Sequence, residues 1–292
     1  MPLEKLQLPE GEIKNLLENF FSGKSVSTQR AYAQDLEDFR RYQGTHGVSE
    51  ALEDFLSSPH TRANLKAMHY RYLMNERGLK DTTIHRRISM LRALTRHAME
   101  AAHIDWHLQV DAETAPAPKE VRATDPKEVK RLLQHLDDQP DKPIFRRDRL
   151  LLMLVAELAL KSNQISQLTL ADLDLERQEL EISGQGSRKI STRLQHCLLR
   201  WLEARGPADG SLLTNFDHAD KAKGLTTTSI YRILKKMGDQ VGQEITPQSL
   251  RQGVIKRKAE NAPATQEKTK QLLKFSGLQH EKSLQPYRRP KD

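Results

Sequence analysis

The stretch TPQSLRQG, Thr246 to Gly253, places Arg251 three positions after Gln248. A guanidinium is permanently charged, and its planar fork of donors matches the oxygens of a phosphate. A neutral amide one helical turn away can donate a hydrogen bond to such an oxygen, but it cannot carry a proton. Basic residues also gather in KDTTIHRRISMLRALTRHAMEAAHI, where Arg86, Arg87, Arg92 and Arg96 fall mostly off an apolar stripe. That stripe is Ile84, Ile88, Leu91, Leu94 and Ala98, whose spacing of three or four marks one face of a helix. The arginines fit two readings, a solvated basic face and a face turned toward phosphates.

Composition favours the second. The formal net charge of the 292-residue chain is +8, which points to a polyanionic partner, most simply nucleic acid. The length suits two domains of ordinary size. Charged residues reach 29%, yet leucines recur at helical spacing, so the chain reads as folded rather than disordered. The single cysteine, Cys197, excludes a disulfide within the chain and argues against a cysteine-based zinc site. It lies in RLQHCLLRWLEA, whose periodicity makes it a buried core thiol. No metal and no cofactor is expected. No run approaches the ~18 apolar residues of a membrane span, and the N-terminus does not read as a signal peptide, so a cytoplasmic protein without a membrane partner is expected.

The elements that must position these side chains are mostly helices. Residues 1–110 read as all-helical. STQRAYAQDLEDFRRYQGTHG is expected to start from an N-cap at Ser27, to bury Ala31, Tyr32, Leu36 and Phe39, and to end at Gly44 and Gly47. The arginine-bearing helix is expected to be capped by Thr82 or Thr83. Residues 111–124, rich in alanine, proline and charge, read as an interdomain linker. Asp125 then caps a helix that has Pro126 in its first position. RRDRLLLMLVAELAL is apolar enough for a core helix. ELEISGQGSRKISTRL has β-compatible runs around Gly184 and Gly186 and reads as a hairpin. Helices follow through HCLLRWLEARG, TTTSIYRILKKMGDQVG and the segments 246–260 and 265–275.

Four segments of residues 125–292, in the order helix, hairpin, helix, helix, resemble the tyrosine recombinases of the phage-integrase type. ALKSNQISQLTLADLDL is similar to G-L-R-x-S-E-L-x-x-L-x-W-x-D-I-D, and eleven positions before Asp172 Lys161 stands where the first catalytic arginine belongs. SGQGSRKIST is similar to G-K-G-x-x-R, with Gln185 in the lysine position. TPQSLRQG is similar to T-P-H-x-L-R-H, with Gln248 for the histidine and Arg251 retained. SGLQHEKSLQPY is similar to L-G-H followed nine residues later by tyrosine, with Leu278 for the histidine and Tyr287 in the nucleophile position. The resemblance covers about residues 20 to 287. It implies a mainly α protein of two domains: an N-terminal helical core-binding (SAM-like) domain that clasps DNA, and a C-terminal catalytic-type domain with a small β-sheet.

In that family the reaction is phosphoryl transfer to a tyrosine hydroxyl. Two arginines and a histidine hold the scissile phosphate, a hairpin lysine protonates the leaving 5′-oxygen, and the tyrosine attacks. Lys161 keeps a charge without the bidentate fork. Gln185 cannot act as a general acid, Gln248 cannot carry a proton, and Leu278 offers nothing polar. Losing one well-placed donor costs ~10²–10³ in rate, so the resemblance implies duplex-DNA binding with little or no catalysis. Arg86, Arg87, Arg92, Arg96, Arg188, Lys189 and Arg251 would supply the DNA contacts, and the protein would act as a transcription regulator, an architectural factor or an inactive partner of a recombinase from a mobile element, plasmid or chromosome-maintenance system. Its self-association is open. Two alternatives remain at this point. One is an active site-specific recombinase using Tyr287, with Arg188, Lys189 or His280 standing in. The other is a basic helical interaction protein with no DNA role, in which Arg251 is an ion-pair partner and Tyr287 packs its ring on the domain.

Overall fold

The structure is a computed structural model, and it describes residues 10–110, 122–216, 223–263 and 265–288. The chain divides into two compact units, Met1–Ala117 and Pro118–Asp292. Most of the segment expected as a linker, residues 111–121, lies outside the described residues.

The N-terminal unit is helical: α1 (Glu10–Phe21), α2 (Val26–Gln43), α3 (Val48–Leu56), α4 (His60–Glu76) and α5 (Asp81–Glu100). Its core forms where the apolar faces meet. Phe39 of α2 meets Phe55 of α3 and Tyr70 of α4 edge-on, with ring centroids 5.1 and 5.2 Å away. The expected stripe of α5 is buried in full. Both caps differ from expectation. The N-cap of α2 is Ser25, whose hydroxyl accepts from the Thr28 amide, so the helix starts before Ser27. α5 starts after Lys80 without a side-chain cap, which leaves Thr82 and Thr83 inside its first turn. Gly44 closes α2 in the left-handed conformation open to glycine, with its amide bonded to late carbonyls of the helix.

Two of the four arginines of α5 are engaged within the unit. Arg86 pairs with the fully buried Asp35. Arg87, whose side chain is only 14% exposed, pairs with Asp38 and stands 3.4 Å from Asp35. Asp38 also accepts from the Tyr70 hydroxyl at 2.8 Å and from Arg77. Burial pushes the Asp35 carboxyl above its ordinary value, against the pull of both arginines. Stranding one member of a buried ion pair is costly, so these arginines lock α5 to α2. Arg96 is exposed and Arg92 half-buried, and among the described residues neither has a carboxylate partner.

The C-terminal unit is built around α7 (Pro143–Leu158), whose residues Leu150 to Val155 are all buried. A helix apolar on every side belongs in an interior. α6 (Pro126–Asp137) precedes it, with the expected Asp125 cap completed into a capping box by Glu128. After α7 come the short α8 (Ser162–Gln167), a three-stranded antiparallel sheet, α9 (Thr192–Arg205), α10 (Thr227–Gln240), α11 (Pro247–Asn261), α12 (Gln266–Ser276) and a 3-10 turn, Glu281–Tyr287. The sheet contains the expected hairpin, β2 (Glu179–Ile182) and β3 (Gly186–Lys189), and an edge strand β1 (Leu173–Asp174) that the sequence did not announce. Cys197 is buried in α9, as its periodicity indicates.

The segment just before α6 is packed against α11. The Thr124 amide donates to the Ser249 carbonyl at 2.9 Å and its hydroxyl to the Ser249 hydroxyl at 3.0 Å. This approach requires Gly253, because an added Cβ there would run into the Thr124 carbonyl oxygen. Gly253→Ala should therefore destabilise the C-terminal unit by ~1–3 kcal/mol, the usual range for overpacking. Thermal unfolding of the variant checks this, and an unchanged melting curve would refute the close approach.

A cationic candidate site in the C-terminal unit

Three elements place Lys161, Arg188 and Arg251 together. α7 ends at Ala159, which adopts the left-handed conformation (φ 52°, ψ 34°). A residue with a Cβ holds that conformation at a cost of ~1–2 kcal/mol. The turn delivers Lys161 to the start of α8, where its amide donates to the Gln164 side chain at 2.9 Å. β3 supplies Arg188. In the β2–β3 register Leu180 stands opposite Arg188, and Glu179 opposite Lys189. Residues directly opposite share a face of the sheet. Leu180 is fully buried, so Arg188 points inward. Lys189 points outward, 3.2 Å from Glu179. α11 supplies Arg251 from its first turns, below the Thr246 cap.

The cations meet backbone carbonyls at two helix C-termini. Arg251 donates through Nε to the Ala159 carbonyl at 3.0 Å and through Nη2 to the Ser276 carbonyl. Arg188 donates to the Leu158 carbonyl, to the Phe275 carbonyl at 2.7 Å and to the Gln185 side chain. Lys161 Nζ lies 3.5 Å from the Gly277 carbonyl. Each arginine thus ties the end of α7 to the end of α12, where aligned peptide dipoles leave partial negative charge. Burial pushes the Arg188 guanidinium down to about 10, with repulsion from Arg251 adding to it. Burial and Arg251 act on Lys161 in the same direction. Arg251 is lowered by burial, while the Tyr287 phenol works the other way. Among the described residues no carboxylate contributes to the shift of any of the three.

The remaining family positions scatter in role. Gln185 sits at the hairpin turn and touches Gly277, whose left-handed conformation closes α12. Gln248 is exposed, and among the described residues its side chain makes no hydrogen bond. Leu278 is half-buried against a cluster that includes Val254, Ile255, Leu284 and Tyr287. Tyr287 is only 7% exposed and joins that cluster through its ring. His280 is exposed. Lys161, Gln185, Gly277 and Leu278 edge an open groove of about 630 Å³. The carbonyls of Leu158, Ala159, Phe275 and Ser276 are the partners that sequence reasoning missed. The only signal for them was Gly277, a glycine placed to stop a helix. The described residues contain no group of three or more His, Cys, Asp or Glu placed to hold a metal ion, and no helix long and apolar enough to cross a membrane.

Known proteins match both the sequence and the fold. The Tyrosine recombinase slr0733 of Synechocystis sp. is 24% identical over 277 residues, covering 91% of this chain and 88% of its own. Tyrosine recombinase XerC of Vibrio cholerae is 24% identical, with 85% and 80% covered. Among solved structures, XerH site-specific recombinase bound to a palindromic difH substrate superposes with a TM-score of 0.69 at 15% identity, covering 96% of this chain and 80% of that one. A lambda integrase dimer bound to a core site gives 0.68 at 15% identity, covering 96% and 95%. The family model for the phage integrases matches residues 122–280, more than half of the sequence and the whole of the cationic site, and the chain belongs to the phage integrase family, the tyrosine recombinases.

Proposed function

We propose that the chain is a duplex-DNA-binding protein that uses its recombinase site to hold a backbone phosphate without cleaving it. The observation that carries this reading is the carboxylate-free cluster of Lys161, Arg188 and Arg251. Two half-buried guanidinium groups and an ammonium repel one another, and an anion relieves that repulsion. Beside them, Gln185, Gln248 and Leu278 bring no proton donor to the positions where the family has lysine and histidine. Exposed Arg96 and half-buried Arg92 add phosphate contacts from the N-terminal unit. Such a protein serves as a regulator, an architectural factor or a non-cleaving partner of an active recombinase.

Arg251 tests the reading. Arg251→Ala should weaken duplex binding by ~1–3 kcal/mol, the worth of hydrogen bonds to a charged group. The loss should be similar for different sequences and should shrink the salt slope by about one phosphate's contribution. Gln248→Ala should cost less. Fluorescence anisotropy across a salt series measures both, and circular dichroism checks folding, because Arg251 also ties α7 to α12. A folded Arg251→Ala with wild-type affinity would remove the phosphate from this site.

A second reading, cleavage through Tyr287, draws on the electrostatic contact between Tyr287 and Arg251 and on the names of the relatives. It needs a proton donor, and Lys161, whose ammonium burial and Arg251 hold below its ordinary value, is a group of that kind within the cluster.

A further inference from the structure

A separate cavity of about 390 Å³ opens between α6, α7 and α9. Arg149, Arg146, Arg193, Arg200 and His196 line it, with Cys197, Leu136 and Phe145 among its apolar wall. It is distinct from the cationic cluster: Arg149 and Leu158 are separated by roughly 14 Å along α7 at ~1.5 Å per residue. Its cations outnumber their partners. Asp141 binds Arg146 through two 2.7 Å hydrogen bonds and Arg200 through one of 2.9 Å. Glu203 takes a further donor of Arg146 at 2.9 Å, and Asp137 pairs with Arg149. Arg193 has no carboxylate partner among the described residues, and Arg149 and Arg200 keep donors free.

We propose that this cavity binds a compact phosphomonoester of about mononucleotide size. Guanidinium forks left with free donors around one concavity favour a tetrahedral oxyanion with several acceptor oxygens. A phosphomonoester carries about −1.5 to −2 charges at pH 7, enough to compensate the uncovered cations. The wall of Leu136, Phe145 and Cys197 faces the body of the ligand rather than its charge, which suits a flat, weakly polar group. The cavity falls within the size range of small-ligand sites, about 300–1,000 Å³.

Cys197 provides a local readout, because it is the chain's only cysteine. Adenosine 5′-monophosphate should slow labelling of Cys197 by a thiol reagent in the full chain and should give a saturable heat in calorimetry. Inorganic phosphate should do so more weakly, and adenosine not at all. Arg193→Ala and Arg200→Ala should each lower the affinity for the monophosphate roughly tenfold or more, as expected for charge-assisted hydrogen bonds. Arg251→Ala should leave it unchanged, while Arg193→Ala should leave duplex binding unchanged. The two sites therefore fail separately. Absence of both protection and heat overturns the proposal. So does binding that survives in the Arg193→Ala, Arg200→Ala double variant, or binding lost in a folded Arg251→Ala.

Discussion

Between 50 mM and 200 mM salt, the affinity of the chain for a duplex of arbitrary sequence is expected to fall by a factor of about 10³ or more. Each phosphate neutralised by a lysine or arginine releases condensed counterions, and that gain shrinks as bulk salt rises. The net charge of +8 supplies the cations, and Arg92, Arg96 and the cluster of Lys161, Arg188 and Arg251 concentrate them. Exposed pairs such as Lys189 with Glu179 contribute less, because the carboxylate must be displaced before the ammonium can meet DNA. Anisotropy titrations on two unrelated duplexes provide the measurement. A flat response to salt, or no binding at the lowest salt, removes the electrostatic reading and favours the interaction protein without a DNA role.

The second large effect is a missing one. A suicide substrate that traps covalent recombinase–DNA intermediates should yield none with this chain, and Tyr287→Phe should bind duplex as the parent does. Cleavage needs an attacking phenolate, a donor for the leaving 5′-oxygen and a full set of hydrogen bonds to the developing oxyanion. Tyr287 lies in the buried cluster that includes Val254, Ile255, Ala259 and Leu272, Gln185 is held by Arg188, and Gln248 and Leu278 bring no proton. Each missing donor costs ~10²–10³ in rate, and losses within one catalytic unit do not add simply. A trapped adduct that disappears in Tyr287→Phe would establish cleavage through Tyr287 and overturn the non-cleaving reading.

The helices were legible because their apolar residues recur at three and four, and α5, α7 and α9 bury the residues that this spacing selects. What periodicity does not encode is the partner of a polar side chain. Arg86 and Arg87 looked like surface charge because Asp35 and Asp38 lie on another helix, some fifty positions earlier in the chain. The two-residue strand β1 is too short to show an alternation. Ser25 and Ser27 are equally good capping residues by type, and only the hydrogen bond to the Thr28 amide separates them. In the candidate site, side chains were legible through the family's spacing, whereas the helix-end carbonyls were not, since every residue has one. Strand alternation implied that Arg188 and Lys189 face opposite ways, but the register with Leu180 and Glu179 was needed to say which faces inward.

The two arginine bridges between the ends of α7 and α12 bear on which positions of this site can drift. Arg251 and Arg188 hold the architecture whether or not any reaction occurs, so a lineage that abandoned cleavage would still lose stability by replacing them. The side chain of Gln248 has no hydrogen-bonding partner among the described residues, so mutation there meets no such resistance. On the proposed non-cleaving reading, the asymmetry of TPQSLRQG, an arginine beside a glutamine where the family has histidine, follows from mutational robustness. A relaxed active site erodes first where its residues served chemistry alone.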